Sequence, residues 1–471
     1  STAKVLDDQI TSDSQWAPSH FMDIPKISNI ECRNTWFRTH YGELDRLFDT
    51  GIIKATPLPP GMTEKDLLDI HVLYCRKKDL RYKARAVLGA SKNNLYKLGY
   101  DLGRTFSPTA RDTTMRYLCT EAAEHGYVIR GGDVTQAYGQ AGEWPENIKK
   151  AVARMPAGYK KWIDDILHCV EVGNLYGHPL AGRHWWLHFL GWMLDHGFTQ
   201  SKHDPCLFVK KHGDDILLII IYVDDILSFA PPGSQLYEEW AAAFSADHDW
   251  VNFGTDLHDF LSVHITQKPG QVTLDMTKYI ENMAKEWFPG GVHHTYTTPA
   301  DIDLPSVVHK ASVVRDNTQA GTDIAKQFRR LVAQLLYLAR SSRPDISCAV
   351  GYLSRVQMWP SEDFLHRAER VLSYAISTKD LKITYTKSGT ATPTIHWAPR
   401  VIVEGASDST LDIAHSTSGY VFAKNGALIS WSTKKQDSIA LYTQHAEIIA
   451  GSEAACEAIS IMGIEAEVGS H

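Results

Sequence analysis

An α+β chain that closes with a smaller α/β unit is the architecture this sequence predicts, on three observations. The stretch "ILLIIIYVDDILSFA" (216–230) sets Asp224 and Asp225 between two apolar runs, the pattern of an antiparallel hairpin buried on both faces. Residues 323–340 and 361–377 repeat apolar side chains at helical spacing with no strand between them. After residue 395 come a strand ending at Asp408, a hairpin "SGYVFAKNGALISW" turning at Asn425–Gly426, and a helix from Thr443 to about Ile461.

The elements follow in order. Residues 1–45 are polar with scattered aromatics and read as an N-terminal extension. Residues 68–90 alternate well enough for a pair of strands, and "DTTMRYLCTEAAEH" (112–125) reads as a helix. "YVIR" makes a short strand leading into Gly131, Gly132 and Asp133. "AGRHWWLHFLGWMLDHGF" (181–198) has aromatics all round, which predicts a helix buried on every side and ending near Gly197. Asp275 is the expected N-cap of a helix that presents Met276, Tyr279, Ile280, Met283 and Trp287 on one face and stops at Pro289–Gly290. Residues 295–322, rich in Thr, Pro, Asp and Gly, read as a long loop. The 323–340 helix aligns Ile324, Phe328, Leu331, Leu335 and Leu338; the 361–377 helix is capped by Ser361 behind Pro360. "KSGTATPT" (387–394) reads as a linker.

With 471 residues, 44% of them hydrophobic, the chain can build two or three domains. No run of eighteen apolar residues appears, and the first residues lack a signal-peptide pattern. Seven scattered cysteines, never as CxxC, point to reduced thiols and away from structural zinc. The net charge of −7 speaks mildly against nucleic acid, but local basic runs exist. The densest, "CRKKDLRYKAR" (75–85), has six cations in eleven residues beside Tyr74 and Tyr82, and is the best candidate for holding phosphates.

The chemistry centres on the hairpin. An unpaired buried carboxylate costs several kcal/mol or stays protonated. A tight turn over Val223–Asp225 would instead bring both carboxylates out at one end of the sheet, where a cation can share them. Asp214 and Asp215 provide a control: they follow Lys210, Lys211 and Gly213 and start the strand from a polar loop. Nine extended steps, roughly 30 Å, separate Asp215 from Asp224, whereas catalytic metal pairs lie about 4 Å apart. Asp133, at the end of another strand, is the further carboxylate that two-metal phosphoryl transfer would use.

"YVDD" (222–225) resembles the catalytic signature of reverse transcriptases. The whole chain from about 40 to 460 is similar to the copia-type retrotransposon polymerase, through "ELDRLFDTGIIKATPLPPG" (43–61), "YKARAV" (82–87), "FSPTARDTTMRYL" (106–118), "DVTQAY" (133–138), "LYGHPLAGRHWW" (175–186), "GFTQSKHDPCLFV" (197–209), "YIENM" (279–283), "LLYLARSSRPDI" (335–346) and "STSGYVF…ISWSTKKQ" (416–436) in that family's order. The resemblance implies a right-hand polymerase, α+β with fingers, palm and thumb, followed by a truncated α/β ribonuclease H-like unit. The expected boundaries are an extension over 1–45, fingers and palm over 46–265, thumb and connecting helices over 266–385, and the terminal unit over 395–471.

By the same resemblance, Asp133, Asp224 and Asp225 are the expected ligands of two Mg²⁺ ions, with Mn²⁺ as a substitute. Tyr138 falls where the family sets an aromatic against the sugar of the incoming nucleotide. Lys83 and Arg85 resemble fingers residues near its triphosphate. Asp408 and Glu447 match the first two acids of a ribonuclease H fold. The implied partners are an RNA template, a DNA or RNA primer and dNTPs, with no membrane. The implied location is intracellular: the cytoplasm, within a virus-like particle for an intact element, or the nucleus.

Four departures stand out. Leu180 replaces a common Gln, Ser262 replaces the Gly of an "FLG" hairpin near the primer terminus, and His445 replaces an acid in the terminal unit. The family's third acidic strand should follow the last helix, and the chain ends first, so ribonuclease H activity is not expected. The competing readings are a catalytically silent descendant that binds nucleic acid or protein, and a generic two-metal nuclease.

Overall fold

The computed structural model describes residues 16–77, 80–90, 95, 99, 103–144, 148, 150–255, 259–292, 294–319, 321–388, 404–410 (backbone only), 416–425 and 427–469. Two compact units emerge, one from Ser1–Pro108 and Thr135–His196, the other from Thr109–Val134 and Gly197–His471.

In the first unit, helix α1 (Ile30–Asp49) starts where the Asn29 side chain accepts the Cys32 N–H at 2.9 Å. It buries Trp36, His40, Leu44 and Leu47, spaced for one helix face. The boundary expected at 45/46 therefore falls inside a helix. Strands β1 (Asp69–Arg76) and β2 (Tyr82–Gly89) form a hairpin that pairs Cys75 with Lys83 and Leu73 with Arg85. A second sheet pairs Ile166–Val172 with Ile53–Pro57 on one side and Ala151–Arg154 on the other. Leu44, Leu47, Ile53, Ala86, Val170 and Leu180 share one core. Leu180 is thus a packing residue at the start of helix Ala181–Asp195. That helix is one-sided rather than buried all round: Ala181, Trp185, Phe189 and Met193 face inward, while Leu187 and Leu194 are 43% and 50% exposed.

The second unit is built on helix α2 (Asp112–His125) and a six-stranded antiparallel sheet. Its long strands are β3 (Val128–Val134), β4 (Leu207–His212), β5 (Asp215–Tyr222), β6 (Asp225–Ala230) and, after helix α3 (Gln235–Asp247), β7 (Trp250–Gly254). The order across the sheet is β7-β3-β6-β5-β4, with Thr199–Gln200 at the far edge. Ile216–Ile221 are all buried, as the aliphatic run predicts. Strands β8 (His264–Lys268) and β9 (Gln271–Asp275) form a further hairpin. Helix α4 (Thr277–Trp287) is capped one residue later than expected: Met276 is the N-cap, and Asp275 accepts the Thr277 N–H at 2.6 Å. The expected long loop over 295–322 contains helix α5 (Leu304–Val314), started by Pro305 in its first turn. Helices α6 (Asp323–Ser341) and α7 (Glu362–Ser377) follow, α7 capped by Ser361 as expected. Strand β10 (Ile383–Thr386), not foreseen, pairs with β9.

The terminal segment forms β11 (Glu404–Thr410), β12 (Thr417–Lys424), β13 (Ala427–Lys435) and helix α8 (Thr443–Val468), which is longer than its periodicity suggested. The β12–β13 hairpin turns where Asn-Gly predicts, Lys424 pairing with Ala427; Gly426 lies outside the described residues, as does most of the 387–394 linker. This segment covers α2, whose residues Thr113–Ala123 are all buried. Lys424 reaches Glu121 and the Tyr117 hydroxyl, and Glu457 accepts from Thr113 at 2.9 Å and Ser430 at 2.7 Å. Among the described residues, no helix is long and apolar enough to cross a membrane.

Candidate active site

Asp133, Asp224 and Asp225 come together at one end of the six-stranded sheet. β5 and β6 are joined by a two-residue turn, with Tyr222 paired to Asp225 across it. Val223 occupies the first turn position with φ 61°, the sign a type II′ turn needs there. For a β-branched residue this is a sparsely populated conformation costing on the order of 1–3 kcal/mol. Asp225 then opens β6 directly opposite Asp133 on β3, and the Val134 N–H donates to the Asp224 carbonyl at 2.8 Å. Burial, and then the neighbouring Asp224 and Asp133, push the Asp225 carboxyl up to about 7.

The donors are all carboxylate oxygens, the set that hard divalent cations take. Among the described residues, no three His, Cys, Asp or Glu side chains form a ready-made metal cage. The three aspartates are neighbours whose mutual repulsion a cation would relieve. The control pair behaves differently. Asp215 begins β5 at the opposite end of the strand and accepts the Leu236 N–H at 3.0 Å, helping to cap α3.

Glycine makes the close packing beside Asp133 possible. A β-carbon on Gly132 would lie 2.3 Å from the Trp250 ring. Tyr138 and Arg85, both in the first unit, meet through a residue that sequence reasoning did not single out. The Arg85 guanidinium lies 4.3 Å from the Tyr176 ring centroid, and the Tyr138 ring is 4.6 Å from the same ring. The signal was present in "LYG", where a glycine follows an aromatic just before a helix. Lys83 lies two positions from Arg85 on β2 and so shares its face of the strand. The basic run at 75–85 forms the β1–β2 hairpin end, with Arg76 over the Tyr82 ring at 4.7 Å; Lys78 lies outside the described residues. In the terminal segment Asp408 lies on β11, its side chain outside the description, and Glu447 is exposed on α8, which packs along β11 and β12.

The profile of the reverse transcriptase (RNA-dependent DNA polymerase) family matches residues 65–300, about half of the chain. The chain is 28% identical over 395 residues to the retrovirus-related Pol polyprotein from transposon RE1 of Arabidopsis thaliana, covering 83% of this chain and 25% of that protein. It is 26% identical over 453 residues to the retrovirus-related Pol polyprotein from transposon TNT 1-94 of Nicotiana tabacum, covering 93% of this chain and 32% of that protein. The chain therefore spans a quarter to a third of the length of these relatives. A foamy viral protease-reverse transcriptase, solved in complex with dsDNA, aligns with a TM-score of 0.41 at 10% identity, covering 97% of this chain and 78% of that one.

Proposed function

This chain belongs to the reverse transcriptase (RNA-dependent DNA polymerase) family, in the copia-type retrotransposon branch, and on that premise we propose that it extends a primer on an RNA or DNA template by two-metal nucleotidyl transfer. One observation carries the reading: Asp133 and Asp225 are cross-strand partners, with Asp224 beside them in the connecting turn. In this reading the first unit supplies the fingers. The six-stranded sheet with α2 is the palm, and α4, α6 and α7 are the thumb and connecting helices. Strands β11–β13 and α8 form a ribonuclease H-like unit, with Asp408 and Glu447 as its acids.

Asp133, Asp224 and Asp225 would hold Mg²⁺, which when bound supplies Lewis-acid activation of the primer 3′-hydroxyl and of the departing pyrophosphate. The turn fixes where those carboxylates stand, because its backbone is tied to β3 through Val134. Tyr138 would lie against the sugar of the incoming nucleotide, and Lys83 and Arg85 beside its triphosphate. The Leu180 and Ser262 departures do not argue for a silent protein. Leu180 is a core residue, and Ser262 keeps the left-handed backbone, φ 63°, that a glycine would take.

Extension of a DNA primer on a poly-ribonucleotide template with dNTPs and Mg²⁺ tests the proposal. Asp224→Asn and Asp133→Asn should each lower the rate by factors of about a thousand or more. Asp214→Asn should leave it near wild type. A comparable loss in Asp214→Asn would overturn the assignment of the chemistry to the Asp224–Asp225 end of β5.

A further inference from the structure

The "LYGHPLAG" segment contains a tyrosine that the reaction described above does not use. The Tyr176 carbonyl accepts the Leu88 N–H at 2.7 Å, which pins the segment to the end of β2. Gly177, with φ 87°, makes that approach possible: a β-carbon there would lie 2.2 Å from the Leu88 carbonyl oxygen and 2.8 Å from the Val87 side chain. Held this way, the Tyr176 ring meets the Arg85 guanidinium at 4.3 Å and the Tyr138 ring at 4.6 Å, tilted by 35°. Gly182 lies beside the tip of Tyr138, where a β-carbon would stand 3.3 Å from the hydroxyl oxygen.

We propose that Tyr176 is a positioning residue that sets Arg85 and Tyr138 in one fixed geometry, so that a single ring orients both the cation serving the triphosphate and the aromatic facing the sugar. The proposal rests on the polymerase reading for the roles of those two residues; the stack itself is independent of it. Arginine is long and flexible, so a ring face that holds its guanidinium spares the ordering otherwise needed when a nucleotide arrives. Tyr138 discriminates against a 2′-hydroxyl only if its ring cannot swing aside, and Tyr176 is the ring it rests on. Loss of Tyr176 should therefore weaken nucleotide binding and sugar selection together.

The test is steady-state extension of oligo(dT) on poly(rA), reading kcat and KM for dTTP and for rUTP. Tyr176→Leu should raise the KM for dTTP about tenfold, the size expected from losing a cation–π and an aromatic contact. It should also shift the rUTP/dTTP ratio of kcat/KM toward the ribonucleotide, as Tyr138→Ala should, and the double variant should go little further than Tyr138→Ala alone. Tyr176→Phe keeps the ring and should stay close to wild type. Tyr176→Met, which fills the volume without a ring face, gives the same reading if the leucine variant does not fold. A ratio unmoved in a folded Tyr176→Leu or Tyr176→Met enzyme that still extends primers overturns the proposal alone. Absence of extension by the wild-type chain overturns the polymerase reading, and this proposal with it.

Discussion

The Trp250 ring lies across the α-carbon of Gly132, so close that a β-carbon at 132 would stand 2.3 Å from Cζ3 and 2.6 Å from Cε3. Gly132 is also paired on both sides, with Ile226 on β6 and Asn252 on β7. Its backbone cannot move without taking Asp133 along.

Gly132→Ala should therefore destabilise the chain by about 1–3 kcal/mol, the usual cost of overpacking, and should slow primer extension by displacing Asp133. Trp250→Leu in the same chain should recover part of both losses by making room. Urea unfolding and extension rates check this. A Gly132→Ala variant with wild-type stability would show that the Trp250 ring gives way freely.

Features that depend on local chemistry were legible in the sequence. The buried hairpin could be read from an uninterrupted aliphatic run, the start of α7 from Ser361 and Pro360, and the terminal hairpin from Asn425–Gly426. Asp224 and Asp225 could be placed at a sheet end because burying two adjacent carboxylates mid-strand is costly. Elements whose inward face is chemically mixed were not legible. Helix α1 turns Trp36 and His40 inward beside Leu44 and Leu47, so its apolar period is broken by a polar ring. Helix α5 is short and lies within a Thr- and Asp-rich stretch that reads as loop. The aromatics of 181–195 suggested burial all round because ring count does not distinguish a face that packs from one that does not. The Arg85–Tyr176–Tyr138 stack joins three separate elements, and no local pattern encodes which strand end meets which loop.

Asp225 sets a conflict between stability and chemistry. Its carboxyl is raised from the ordinary 3.8 to about 7 by burial, and then by Asp224 and Asp133. A carboxyl with a raised folded-state value binds its proton more tightly when folded. Metal-free stability should therefore fall as pH rises from about 4 to about 7, where the unfolded chain has lost the proton and the folded chain still holds it. Asp225→Asn should remove this dependence. At pH 7–8 without metal it should gain on the order of 1–3 kcal/mol over wild type, with the gain vanishing near pH 4. Added Mg²⁺ should stabilise wild type more than the variant, while extension by the variant is lost. Equal stability of the two chains from pH 4 to pH 8 would contradict the crowding of charge at this sheet end.

The turn at Leu261–Ser262 makes the last prediction. Both residues have positive φ, 48° and 63°, between Phe260 and Val263, whose backbones bridge with a 2.9 Å hydrogen bond. Positive φ at both central positions defines a type I′ turn, which favours glycine at the second. The side chains there carry a left-handed strain of about 1–2 kcal/mol each, offset in part by the Tyr337 hydroxyl, which donates to the Leu261 carbonyl from α6. Ser262→Gly should therefore stabilise the chain by about 0.5–1 kcal/mol after the entropy of glycine is subtracted. It should leave extension unchanged, because the backbone is already in the conformation glycine prefers. Ser262→Val, β-branched at the same φ, should lose about 1–2 kcal/mol, and Tyr337→Phe should lose about 1 kcal/mol with its hydrogen bond. Urea unfolding of the three variants measures the series, and a glycine variant less stable than wild type would mean that Ser262 is held by its side chain rather than strained by it.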